Sequence, residues 1–132
     1  MFEKQKQRYR GGTPLRVLIV DDCGAAVDFL AMIFRRRGYQ VFEAFDGEEG
    51  LEMFQTLLPD FALVNFSMPR MNGIEMLKKL RLDERTNDFK AVITSATPHM
   101  AALALEAGAK GVLSCPFSIS DIVSIVEESL EK

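Results

Sequence analysis

Apolar residues along this chain fall into two alternating rhythms. Leu15-Arg-Val-Leu-Ile-Val20 is a short, nearly continuous apolar run between Pro14 and Asp21-Asp22, as expected of a strand buried on both faces. Val27, Leu30, Ala31 and Phe34 follow at i, i+3, i+4 and i+7, which is one face of a helix. Arg35-Arg-Arg37 complements the negative helix end, and Gly38 supplies a stop. Gln40-Val-Phe-Glu-Ala44 reads as a second strand. Asp46-Gly47 opens a second helix, with Leu51, Phe54 and Leu58 expected inward and Pro59 closing it. The pattern continues with a strand over 61–65 and a helix over 74–82 that turns Ile74, Leu77 and Leu80 to one side. A strand over 90–94, a helix over 98–107 ended by Gly108, and a short strand over 111–114 come next. Ser118 begins a last helix, with Asp121 as capping partner and Ile122, Ile125, Val126 and Leu130 inward.

Five alternations of strand and helix predict an α/β fold, a parallel sheet with helices on both faces. Right-handed crossovers then bring the carboxyl ends of all strands to one edge, where such folds gather their ligand chemistry. Asp21-Asp22, Asn65, Ser95 and Cys115-Pro116 each follow a strand and are expected to converge there.

Length and charge narrow the reading. The 132 residues suffice for one domain, taken as 15–132. A domain this size buries roughly two-thirds of its unfolded surface and folds without disulfides or metals. Residues 1–14 carry +3 and the remainder −6. The first segment is expected to be a flexible basic tail ended by Gly11-Gly12. The acidic body argues against duplex DNA as a partner. No apolar run reaches the roughly 20 residues of a membrane span, and residues 1–10 lack the apolar core of a secretory signal. Two cysteines among seven methionines suggest a reducing compartment, so a cytoplasmic location is expected. Enzyme classes find little support. The first strand turn has no Gly-rich phosphate loop, and the sole histidine, His99, is expected in solvent at a helix start.

One constellation is more specific. Val17-Leu-Ile-Val-Asp-Asp22, Gly38-Tyr39, Asp46-Gly47, Pro59-Asp60, Met68-Pro-Arg-Met-Asn-Gly73, Ser95-Ala96, Ala107-Gly-Ala109 and Pro116-Phe117 occur in this order. Together they resemble the receiver domain of two-component response regulators, over residues 17 to 117. The resemblance implies a flavodoxin-like, doubly wound, five-stranded parallel sheet with strand order 2-1-3-4-5. It also implies a cis peptide before Pro116. In that family an acid pair binds Mg²⁺, an aspartate at the third strand end accepts a phosphoryl group, and a Ser/Thr and a Lys contact its oxygens. Carried over, Asp21 and Asp22 match the acid pair, the Ser67 carbonyl a further metal contact, and Ser95 the hydroxyl.

Three positions depart from that pattern. The acceptor position holds Asn65, the lysine position Cys115, and the switch-aromatic position Val112. An amide cannot attack phosphorus as a carboxylate can, so aspartyl phosphate cannot form at Asn65. Two carboxylates and an amide would hold Mg²⁺ weakly. Losing the acid or the lysine alone would leave a buried charge unpaired, at a cost of about 3–5 kcal/mol. Losing both keeps the local charge balanced, which points to a naturally degenerate site. The resemblance therefore implies an atypical receiver, a protein-interaction module needing no cofactor and binding Mg²⁺ weakly at most. Its expected partner is a histidine kinase or a downstream regulator. The region from Pro98 to Ala107 holds one formal charge, Glu106, so a homodimer is expected through the fourth helix, fifth strand and last helix.

Rival readings stay open. Asp21 or Asp22 serves as a cap for the first helix, with carboxylate pKa values raised by the adjacent like charge. Asn72-Gly73 marks a turn in a left-handed or otherwise permissive conformation. The protein is a working phosphoacceptor in which Asn65 is an engineered change or Ser67 substitutes. Or Cys23 and Cys115 form a thiol-based redox sensor.

Overall fold

The computed structural model describes residues 9–131, so residues 1–8 of the expected basic tail 1–14 lie outside the described residues. Strand β1 (Tyr9–Arg10) pairs antiparallel with β2 (Thr13–Pro14), Tyr9 opposite Pro14 and Arg10 opposite Thr13. Gly11 and Gly12 join them at φ +57° and +85°. Two successive positive φ values are what a two-residue type I′ hairpin needs, and Gly-Gly supplies them without steric cost.

The main sheet contains β3 (Arg16–Val20), β4 (Gln40–Ala44), β5 (Phe61–Asn65), β6 (Ala91–Thr94) and β7 (Gly111–Leu113). Their spatial order is β4-β3-β5-β6-β7, the expected 2-1-3-4-5 topology once the five strands are counted along the chain. All pairings are parallel, with Val17 opposite Val41 and Phe61, Ala62 opposite Ala91, and Asn65 opposite Thr94.

The strands read as continuous apolar runs because both faces are covered. Val17, Ile19, Phe61, Leu63 and Val92 pack on one side with Val27, Leu30 and Phe34 of α1 (Gly24–Arg36) and Ile122 and Val126 of α5 (Ile119–Glu131). Leu18, Val20, Ala62, Val64 and Ile93 pack on the other, against Phe54 of α2 (Gly47–Leu57), Leu77 and Leu80 of α3 (Gly73–Arg81), and Ala104 of α4 (Ala101–Glu106).

Four local expectations need correction. Leu58 does not face inward. It is the left-handed C-cap of α2 (φ 48°), 49% exposed, and its N–H is spent on the Phe54 carbonyl. Leu82 likewise falls just past α3 and is exposed. The fourth helix is broken, because Pro98–Met100 forms a 3₁₀ turn before α4 begins. Asn72-Gly73 is not a left-handed turn. Asn72 is the extended N-cap of α3, and Gly73 is its first residue. Asn72 Oδ1 accepts from the Glu75 N–H at 2.9 Å, and Glu75 Oε1 accepts from the Asn72 N–H at 2.9 Å, which is a capping box. The positive φ of this loop belongs to Arg70. At α5 the expected box is present, Ser118 and Asp121 exchanging hydrogen bonds at 3.0 Å each.

Candidate functional site

Parallel pairing in register brings the ends of β3, β5, β6 and β7 to one edge. Asn65 ends β5 and is 8% exposed. Its Nδ2 donates to the Ser67 carbonyl at 2.9 Å, to Asp21 Oδ1 at 3.3 Å and to Asp22 Oδ1 at 3.5 Å. Three acceptors on one side fix the carboxamide's orientation, because turning it over would set Oδ1 against three oxygens. Asn65 Oδ1 is buried and accepts no hydrogen bond among the described residues. Gly73 approaches from behind: a Cβ there would stand 2.6 Å from the Asn65 carbonyl oxygen. The glycine of this motif therefore serves close packing of α3 onto the site.

Asp21 is buried and Asp22 exposed. Burial is the main influence that raises the Asp21 pKa. The Cys23 N–H, donated to Asp21 Oδ1 at 2.9 Å, opposes it, and the Asp22 charge adds a smaller push upward. The expected like-charge effect is thus present but secondary to desolvation. Neither acid caps α1. The N-cap is Cys23, without a side-chain cap bond.

Ser95 lies past β6 with φ +61°, a left-handed conformation costly for a non-glycine residue. Its N–H is held by the Leu113 carbonyl at 2.8 Å, and its Oγ is 3.5 Å from Cys115 Sγ. Ser95 and Cys115, which follow β6 and β7, therefore meet at this edge. The Cys115–Pro116 peptide is cis. Val112 is half-buried and packs toward the α2–α3–α4 side of the core. Cys23 and Cys115 are both exposed and free. They follow β3 and β7, three strand spacings apart at about 4.8 Å each, well beyond the roughly 7 Å Cα limit for a disulfide. His99 is exposed and contacts Thr97.

The fit to a divalent ion can be read from these donors. Among the described residues no three His, Cys, Asp or Glu side chains stand together as a metal-holding group. The oxygens of Asp21, Asp22 and Ser67 face the Asn65 N–H₂ instead. A hard cation needs oxygens where this arrangement puts hydrogens, so the residues as placed do not fit it.

In the loop after β5, Arg70 sits at φ +69° in a γ-turn closed by Met71 N–H to the Pro69 carbonyl at 2.7 Å. Its guanidinium bridges Glu48 at 3.1 Å and Asp46 at 3.4 Å at the start of α2. A Cβ on Gly47 would lie 2.7 Å from the Met71 carbonyl. The loop after Asn65 is thus fastened to α2, which the sequence reading missed. The Asp46-Gly47 pair was visible in the sequence, but its partner Arg70 carries no local signal.

The doubly wound parallel sheet gathers an acid pair, a strand-end amide, a hydroxyl and a cis-proline at one edge, the place where α/β domains of this architecture hold their sites. The response regulator receiver domain family matches residues 17–127, and the chain belongs to it. Chemotaxis protein CheY of Thermotoga maritima is 35% identical over 117 residues, covering 86% of this chain and 95% of that protein. The DNA-binding dual master transcriptional regulator RpaA of Synechocystis is 29% identical over 119 residues, which is 89% of this chain but 49% of that protein. The chain thus spans about half of such regulators and nearly all of a CheY. Among solved structures, the Borrelia burgdorferi CheX–CheY–BeF₃–Mg²⁺ complex contains a similar chain, with TM-score 0.89, 26% identity, and coverage of 98% of this chain and 99% of that one. A CheY-like receiver from Methanospirillum hungatei gives TM-score 0.81 at 28% identity, covering 89% and 94%. The protein is a CheY-like receiver domain of two-component signalling. Among the described residues no helix is long and apolar enough to cross a membrane.

Proposed function

We propose that this receiver works as a phosphorylation-independent protein-interaction module in the cytoplasm, its conformation set by partners. The observation that supports it is the Asn65 amide. Nδ2 donates to Asp21, Asp22 and Ser67 at once, so an internal N–H₂ group stands where a phosphoacceptor site presents oxygens to a cation. The carboxylate nucleophile is absent, and Cys115 supplies no positive charge to a phosphoryl group. Mg²⁺ is not required and binds weakly at most. The partners are a histidine kinase or a downstream regulator rather than DNA. They engage the face of α4, β7 and α5, where Leu105 is exposed and Val112 half-buried.

Intact-mass analysis after incubation with Mg²⁺ and a small phosphodonor tests this reading, with Asn65→Asp alongside. No adduct is expected on the native chain. Inefficient labelling is expected on the variant, because Cys115 still leaves the phosphoryl charge unneutralised. A stoichiometric adduct on the native chain, at Ser67 or elsewhere, would overturn the proposal.

A further inference from the structure

On the reading that partners set this receiver's conformation, we infer that Asp21, Asp22, Asn65 and the Ser67 carbonyl receive one ammonium group, a lysine side chain of the partner protein. Asn65 turns its carboxamide over to admit it. Three oxygens converge on one nitrogen in this pocket. Asn65 Nδ2 donates to the Ser67 carbonyl at 2.9 Å, to Asp21 Oδ1 at 3.3 Å and to Asp22 Oδ1 at 3.5 Å. An ammonium has three donors and a full charge for such a place, whereas the amide has two donors and none. Two observations mark the amide as a poor occupant. Asn65 is 8% exposed, and its Oδ1 is buried with no donor among the described residues, although buried amides ordinarily satisfy both ends. The carboxylates also lack a counter-ion. Among the described residues neither Asp21 nor Asp22 forms an ion pair. Their donors are Asn65 Nδ2 and the Cys23 N–H.

An ammonium among these oxygens reverses the count. With the carboxamide turned over, Oδ1 joins Asp21, Asp22 and the Ser67 carbonyl, so four oxygens face three N–H donors and the acids gain a counter-charge. Nδ2 takes the buried side in exchange. One unsatisfied interior atom replaces another, and the contacts to the ammonium decide which orientation is held. Burial and the Asp22 charge both push the Asp21 carboxyl upward, as expected of an acid without a counter-ion. Lysine suits the place because it sets three donors on one atom at the end of a flexible stem. An arginine fork spreads five over a plane, and Mg²⁺ demands near-octahedral oxygens. The site is open to a partner, since Asp22 is exposed. Asp46 and Glu48 at the start of α2 are already engaged by Arg70. The pocket therefore takes one cation, not the several of a polyamine.

Nuclear magnetic resonance of the ¹⁵N-labelled full chain, following the Asn65 side-chain N–H₂ pair, tests the site. n-Butylammonium, which is the lysine side chain without its backbone, should move both protons upfield and saturably as they leave the carboxylates. Tetramethylammonium, with equal charge and no N–H, should leave them in place at the same ionic strength. Asp22→Asn, at an exposed position, should weaken the n-butylammonium response by about fivefold. The peptide acetyl-Gly-Lys-Gly-amide should bind at least as tightly as n-butylammonium. No response to n-butylammonium would overturn the inference. An equal response to tetramethylammonium would also overturn it, by reducing the effect to diffuse attraction. The same turn brought about by Mg²⁺ at lower concentration would make the occupant a metal ion, and spermidine binding far more tightly than the peptide would make it a free polyamine; either result sinks the partner lysine. With no phosphodonor present, failure here removes the ammonium site alone, whereas a phosphoryl adduct on the native chain removes the reading beneath it.

Discussion

At Asn65, exchanging one oxygen for nitrogen reverses the polarity of the pocket. Nδ2 gives hydrogens to three oxygens that would otherwise repel one another. Asn65→Asp would place a third carboxylate against Asp21 and Asp22 with no lysine nearby. It is expected to lower stability at neutral pH by about 3 kcal/mol, with Mg²⁺ recovering part of the loss; urea denaturation with and without the ion measures both. Asp21 gives a pH signature. Its folded pKa is raised above the ordinary 3.8, so the folded state holds the proton more tightly than the unfolded chain. Its stabilising contribution is then full below about pH 3.8 and is lost as pH rises through the folded value. Asp21→Asn should flatten that fall and be more stable than native at pH 7. Equal pH slopes for the two proteins would show that burial of Asp21 carries no such cost. The identity of this site was legible from strand-end positions. Its hydrogen-bond polarity was not, because sequence does not say which way a carboxamide turns. The ranking of influences on Asp21 also needed coordinates, since adjacency suggests charge and only burial reveals desolvation.

At the scale of elements, α3 is positioned by its first two residues. Gly73→Ala puts a methyl 2.6 Å from the Asn65 carbonyl; backbone must shift, and a loss of about 1–3 kcal/mol is expected. Asn72→Ala removes the cap and should cost about 1 kcal/mol. Thermal unfolding resolves the two, and Gly73→Ala should be the worse. The Asn72-Gly-Ile-Glu75 spacing is itself a capping-box signal, so this role is legible in the sequence. Strands β3, β5 and β6 were legible because burial on both faces leaves unbroken apolar runs. The ends of α2 and α4 were not. Leu58 continues the helical period of α2, but its left-handed backbone carries it off the buried face, whereas Leu82 stands two positions past Leu80 and so falls on the solvent side of α3. Pro98 suits the first turn of a helix, yet it opens a 3₁₀ turn before α4.

On the scale of the whole molecule, acidic side chains gather at the edge where helices begin, with Asp46, Glu48, Glu49, Glu75 and Asp121 near the N-termini of α2, α3 and α5. Each complements its helix dipole, and together with Asp21 and Asp22 they give that edge its sign. Association with a partner there should be favoured by a basic surface and should weaken as salt rises. The N-terminal hairpin pairs only two residues with two, and such ribbons are marginal alone. Removing residues 1–12 is therefore expected to change stability by less than about 1 kcal/mol. The Gly11-Gly12 pair was ambiguous in sequence, since two glycines serve a type I′ turn and a loose linker equally well.

The fastening of Arg70 has a consequence for recognition. Each of its exposed ion pairs is worth little alone, at most about 1 kcal/mol. They act on a γ-turn already wedged between Gly47 and the end of β5, so the loop's conformational entropy is surrendered during folding and not on encounter. Ordering even one rotamer-rich side chain at an interface costs about 0.5–1.5 kcal/mol. A partner that docks beside Asn65 meets a rim already set, and its affinity escapes that penalty without a chemical trigger to order the loop first.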